Sequence, residues 1–247
     1  MAFDVKITTF FNVLDWLAPF TCRGCGRLGG LLCECCKNYN KELLIKMCPR
    51  CGKKIEMCHC KNPIFGTTYR EGVLMRLVED YKYKSIRATS AILAELMLEA
   101  IPRLERMCQS DSVRPRDVVV VPLPTISRHI RERGFDHMTV LAKAIAKRRG
   151  YRFVKALKRN NKTVQVGANE AKRKEQAKTA YVMSEKFKKK VWDDGAYLDK
   201  QYLLVDDVWT TGASMEAAIE VLRGVGIKNI AGVVMLIPRK RGIKERR

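Results

Sequence analysis

Apolar runs without alternation recur along this chain, separated by stretches of helical spacing. Asp117-Val-Val-Val-Val121, Tyr202-Leu-Leu-Val205 and Ile230–Ile237 are apolar and largely β-branched, which suits strands buried on both faces of a sheet. Gly66–Arg70 and Tyr151–Val154 offer two further short strands. Val73, Leu74, Leu77, Val78 and Tyr81 share one helical face, and Ala91, Ile92, Ala94, Leu96, Met97 and Ile101 mark a second helix. Helices are also predicted from about Leu141 to Arg149 and over Glu216–Leu222. Strands alternating with helices predict an α/β fold with a mostly parallel sheet and helices on both faces. Ligands in such sheets bind beyond the carboxyl ends of the strands. Two loops fall at such ends, one after Val121 and one after Val205.

The loop after Val205 carries the chemistry. Asp206 and Asp207 follow the strand, and Thr210-Thr211-Gly212-Ala213-Ser214 then opens a helix. A helix N-terminus approached through glycine favours an anion, because unpaired N–H groups and the helix dipole both face it. Adjacent carboxylates can hold sugar hydroxyls or a hydrated Mg²⁺, which keeps few protein ligands. The combination is that of a ribose-5-phosphate binder. A Walker B strand is the other reading, but it requires a GxxxxGK[ST] partner that the chain lacks. The loop 125–137 adds Arg128, Arg131 and Arg133, whose guanidinium forks suit pyrophosphate oxygens. His129 and His137 read as surface or packing residues.

Nine of the ten cysteines crowd into Cys22–Cys60. They form Cys22-x-x-Cys25, Cys33-x-x-Cys36 (with Cys35 inside), Cys48-x-x-Cys51 and Cys58-x-Cys60. Each pair can present two thiolates to one tetrahedral Zn²⁺, so the segment predicts two structural zinc sites in a reducing compartment. The simplest pairing is sequential: Cys22, Cys25, Cys33 and Cys36 on one ion, Cys48, Cys51, Cys58 and Cys60 on the other. Interleaved pairing remains open, as does substitution by Cys35 or His59. Cys108 stands alone.

Ile7, Phe10, Phe11, Leu14 and Leu17 predict an amphipathic helix over residues 1–20 that docks on a core. No apolar run approaches the roughly 20 residues a membrane span needs, so a cytoplasmic protein without an integral membrane segment is expected. The expected domains are the helix 1–20, a double zinc ribbon at 21–62, the α/β domain at 63–240 and a basic tail at 241–247.

Charge changes the picture once more. The chain of 247 residues holds 48 Lys+Arg against 26 Asp+Glu, a net +22 that zinc thiolates would trim but not cancel. Such a balance points to a polyanionic partner. Residues 151–200 are especially basic, and Lys186-Phe-Lys188-Lys189-Lys190-Val-Trp192 mixes cations with an aromatic ring. That pairing suits tracking a single-stranded backbone and stacking its bases. A solvated charged face is the competing reading.

The Tyr202–Met215 stretch resembles the phosphoribosyl-pyrophosphate (PRPP) signature of type I phosphoribosyltransferases. Together with the cysteine-rich head, Arg133-Gly-Phe-Asp136, Thr163 with Gln165, and Arg173, it resembles the ComF family of bacterial competence proteins. The resemblance implies a type I phosphoribosyltransferase fold behind a small zinc-ribbon domain. It also implies a DNA-uptake role with single-stranded DNA, a helicase-like translocation protein and a phosphoribosyl ligand as partners. Family patterns read Arg-Gly-Phe-Asn-Gln where this chain has Arg133-Gly-Phe-Asp136-His137. Two functions stay open: an accessory protein of DNA uptake with a phosphoribosyl pocket, or an active transferase moving ribose-5-phosphate from PRPP to a base or amine.

Overall fold

The computed structural model describes residues 20–101, 104, 114–160 and 180–239. The expected helix 1–20 (apart from Phe20), the tail 241–247, Cys108, Thr163, Gln165 and Arg173 lie outside these residues. The chain divides into two compact units, 1–42 and 43–247. The two cysteine clusters therefore fall in different units.

In the first unit, Thr21 and Leu28 bridge antiparallel, and α1 (Glu34–Glu42) begins inside the second cysteine pair and carries Cys36 in its first turn. Asn40 is buried and its side chain donates to the Cys36 carbonyl one turn earlier in the same helix at 2.7 Å.

The second unit is built on a five-stranded, wholly parallel sheet ordered β1-β7-β6-β2-β3. Its strands are β1 (Ile64–Tyr69), β2 (Val118–Pro122), β3 (Arg152–Phe153), β6 (Gln201–Val208) and β7 (Ile230–Ile237). Every residue of β2 and β7 is buried, as uninterrupted apolar runs require. On one face, Val119, Val121, Tyr202 and Leu204 pack with Ala218, Ile219 and Leu222 of α7 (Ala213–Arg223) and with Phe187 and Val191 of α6 (Glu185–Asp193). The opposite face is covered by α3 (Thr89–Ala100) and α5 (His137–Arg149), which contact β1, β2, β6 and β7. α2 (Gly72–Tyr83) buries Leu74, Leu77, Val78 and Tyr81 at helical spacing and leans on α3.

Two elements differ from the pattern-based expectation. The arginine-rich loop folds as a short helix, α4 (Ser127–Arg133), which Gly134 ends in the left-handed region at φ 72°. It is polar nearly all round, so no hydrophobic period announced it; an Arg128–Glu132 pair at 2.6 Å supports it along one face. A separate antiparallel ribbon, β4 (Leu157–Arg159) with β5 (Tyr181–Met183), stands outside the main sheet. These are three-residue strands, too short for alternation to register.

Candidate functional site

β2 ends at Pro122 opposite Val205, while β6 continues along β7 to Val208. Asp206 and Asp207 therefore project where β2 no longer covers the strand. Strand alternation sends them to opposite faces. Asp206 shares the α7 face with Tyr202 and Leu204; Asp207 shares the α5 face with Leu203 and Val205. A cavity of about 260 Å³ opens at this notch, and both carboxylates line it. Its other polar walls include Ser214 of α7, His137 of α5, His129 and Arg133 of α4, Thr125 before it, Lys82 of α2, and Arg159 and Tyr181 of the ribbon.

The α5 side is a closed network. One oxygen of Asp207 receives Lys82 Nζ at 2.8 Å and His137 Nε2 at 2.9 Å. Arg133 Nη1 lies 2.9 Å from His137 Nδ1. A guanidinium only donates, so Nδ1 accepts and the ring proton sits on Nε2, facing Asp207. The Tyr81 hydroxyl donates to the His137 carbonyl at 2.5 Å, and Asp136 caps α5 by accepting from Thr139 N–H at 3.1 Å. Burial alone would raise Asp207, but the His137 hydrogen bond and the Lys82 charge outweigh it and hold the carboxyl at about 2.

Asp206 goes the other way. Burial, then the neighbouring Asp207 charge, pushes it up to about 7. The residue is half-buried and lines the cavity. Its carboxylate accepts from the Asp207 N–H at 2.9 Å. Across the cavity, Arg159 lies 5.3 Å above the Tyr181 ring and donates to the Pro124 carbonyl at 3.3 Å. Two adjacent carboxylates thus have separate environments, one locked in an ion pair and one facing the space a ligand would fill.

The turn behind them suits an anion. Gly212 sits at φ 81°, and a Cβ there would meet the Trp209 ring at 2.3 Å, so the turn requires glycine. α7 starts at the next residue with its positive end at the notch. Thr210, Thr211 and Ser214 are exposed and Ala213 is half-buried. Ser214 lines the cavity, while Thr210 lines a neighbouring one with Trp209, Cys48 and Cys51. Of the three sequence-selected arginines, Arg133 reaches the cavity. Arg128 and Arg131 are exposed on α4, outside its walls.

The cysteines gather as two sets, Cys22, Cys25, Cys33 and Cys36, and Cys48, Cys51, Cys58 and Cys60. Within each set all sulfur atoms lie within 4.8 Å of one another. Cys35 and His59 belong to neither. Gly24 and Cys33 donate N–H bonds to Cys22 Sγ at 3.4 and 3.3 Å, the support a metal thiolate takes. Crowded thiols cannot all ionise unaided: the Cys33 hydrogen bond raises Cys36 to about 12, and burial raises Cys58 to about 12. A divalent cation resolves that conflict, and the donor sets fit two structural Zn²⁺ sites. Cys48 is fully buried in the core of the second unit.

On α6, Lys189 and Lys190 are exposed, and Trp192 is 70% exposed with Lys188 Nζ 4.7 Å above its ring. Buried Phe187 and Val191 fix the opposite side of that helix.

Sequence reading passed over His137, Lys82, Arg159 and Tyr181. The signal for His137 was its spacing from Arg133 across Gly134-Phe-Asp136, which sets the two side chains 2.9 Å apart. Lys82, Arg159 and Tyr181 come from three separate elements and carry no local signature.

Residues 130–247 match the family model described as phosphoribosyl transferase domain. With the parallel sheet and the cysteine clusters, this gives an α/β type I phosphoribosyltransferase fold with an N-terminal zinc-ribbon region. No curated protein matches the chain. Among solved structures, a chain of the E. coli MS115-1 HORMA:CdnC:Trip13 complex aligns at 11% identity with a TM-score of 0.17. That alignment covers 72% of this chain and 60% of the other, and at this score it carries no argument. No helix among the described residues is long and apolar enough to cross a membrane.

Proposed function

We propose that the notch binds the ribose-5-phosphate part of a phosphoribosyl compound, with Asp206 toward the sugar hydroxyls and the 210–214 turn around the 5′-phosphate. The observation that carries this is the placement of Asp206 and Ser214 in one cavity at the end of β6. Thr210, Thr211, Gly212 and Ala213 supply hydroxyls and N–H groups to the same turn. Lys82, Arg133 and Arg159 make the walls cationic, which suits a phosphate or pyrophosphate. Mg²⁺ carried in with PRPP would meet Asp206, the acid left free by the Asp207 ion pair. Its role would be to offset phosphate charge.

Around that pocket we assign an accessory role in bacterial DNA uptake, in the cytoplasm, with single-stranded DNA held along a basic surface that includes Lys188, Lys189, Lys190 and Trp192. The net charge of +22 and the exposed cation–aromatic face of α6 support it. A helicase-like partner follows from the ComF resemblance. Titration calorimetry with PRPP–Mg²⁺, ribose 5-phosphate and short 5′-phosphorylated single strands tests both halves. Uptake of the small ligands without turnover, and of the strands in a salt-dependent manner, is expected; failure of either class removes that half.

A second reading, transfer from PRPP to a base or amine, is favoured by Asp206. A carboxyl held near neutrality and open to the cavity is suited to accept a proton from an incoming nucleophile. Pyrophosphate release across a panel of bases and amines distinguishes the two.

A further inference from the structure

A side chain from the second cysteine cluster's knuckle reaches the helix that opens from the 210–214 turn. Arg50 lies between two of the cluster's cysteines, in Cys48-Pro-Arg-Cys51. Its Nε and Nη2 donate three bonds to the Glu216 carboxylate, at 2.9, 2.6 and 2.6 Å. Glu216 belongs to the first turn of α7, and its N–H closes that turn on the Gly212 carbonyl at 3.0 Å. The same turn delivers Ser214 to the cavity.

We propose that Arg50 positions and electrically screens the phosphate-binding turn, so that metal loading of the Cys48–Cys60 cluster sets the affinity of the pocket. This rests on the phosphoribosyl reading above.

Two physical effects point the same way. The first is mechanical. The knuckle is anchored to the sheet, because Cys48 is fully buried and the Met47 carbonyl accepts from Gly66 N–H of β1 at 2.8 Å. A forked guanidinium–carboxylate contact from that anchor fixes the start of α7. The second is electrostatic. A carboxylate in the first turn competes with a bound phosphate for the positive end of the helix. Arg50 cancels that charge. The pair is partly open to solvent, at 26% and 46% side-chain exposure, so the effect is graded and not all-or-none. Loss of the metal, by chelation or thiol oxidation, frees the knuckle that holds Arg50 and leaves Glu216 facing the turn unscreened.

The full chain carries the test, with ribose 5-phosphate as probe, calorimetry for affinity, colorimetric release for zinc, and hydrogen exchange for the amides of Ser214–Glu216. Arg50→Ala should keep its zinc, bind the probe roughly threefold to thirtyfold more weakly, and exchange those amides faster. Adding Glu216→Gln to Arg50→Ala should restore most of the affinity, which a merely structural role of Arg50 would not do. Zinc-stripped wild type should behave like Arg50→Ala. Unchanged affinity in Arg50→Ala, or no recovery in the double variant, overturns the screening. If wild type itself does not bind the probe, the pocket reading fails separately. The positioning is then decided by exchange alone, and unchanged protection of Ser214–Glu216 in Arg50→Ala overturns it.

Discussion

His137 Nε2 donates to Asp207 Oδ2 across 2.9 Å, with both side chains buried where α5 begins and β6 ends. The bond joins residues 70 positions apart and is completed by Lys82 on one side and Arg133 on the other. His137→Ala would deprive Arg133 of its imidazole acceptor and leave Asp207 to its ion pair with Lys82. A loss on the order of 1–3 kcal/mol is expected for a buried partner left unsatisfied. Urea unfolding of the variant measures it, and unchanged stability would place the network in solvent.

The two acids set opposite pH dependences. Asp206 is raised to about 7, so its contribution to stability is full below its ordinary carboxylate value and is lost as pH rises through about 7. Asp207 is depressed to about 2, so its contribution is present above the ordinary value and is lost as pH falls through about 2. Asp206→Asn removes the first slope. Its melting temperature should therefore drop less than that of wild type between about pH 5 and about pH 8. Parallel curves for the two proteins contradict this assignment.

The cysteine sets should behave independently. Elemental analysis should give about two zinc ions per chain by the four-thiolate rule. Cys22→Ser should lose one ion and leave the melting of the 43–247 unit unchanged. Cys48→Ser removes a residue buried in the core of that unit, so it should lose the other ion and lower that unit's melting temperature. Equal effects of the two variants on the unit's melting would refute the division.

Single-strand binding should weaken steeply with salt. Each cation that pairs with a phosphate adds roughly 0.7 to the steepness of the log–log slope, so changing Lys188, Lys189 and Lys190 together to Ala should flatten it by about 2. Trp192 fluorescence should respond to DNA, with Trp192→Phe as the control for Trp16 and Trp209. A slope unchanged by the triple variant would make α6 an ordinary charged face.

Much of this molecule was legible because its strands are buried on both faces. Val118–Val121, Tyr202–Val205 and Ile230–Ile237 read as strands without reference to anything distant, and the acid pair and hydroxyl turn are contiguous with one of them. The sequential cysteine sets were also local, since each knuckle is closed by neighbours in the chain. The cavity's remaining walls were not. Lys82, His137, Arg159 and Tyr181 meet only once the sheet has folded, and a lysine on a helix surface reads the same whether it faces water or Asp207. The short helix α4 hid because its residues are nearly all polar, and the ribbon hid because three-residue strands carry no period.

The central claim is that Asp206 and the 210–214 turn form a phosphoribosyl site. It is tested most directly by calorimetric titration of PRPP–Mg²⁺ into wild type and Asp206→Asn. Asp206 is the cleaner substitution, because changing Asp207 would also break a buried ion pair with Lys82. Wild type should bind with one site per chain, and Asp206→Asn should bind far more weakly while melting no lower at neutral pH. Equal affinity in the two proteins, or no binding of PRPP or ribose 5-phosphate to wild type, would contradict the account.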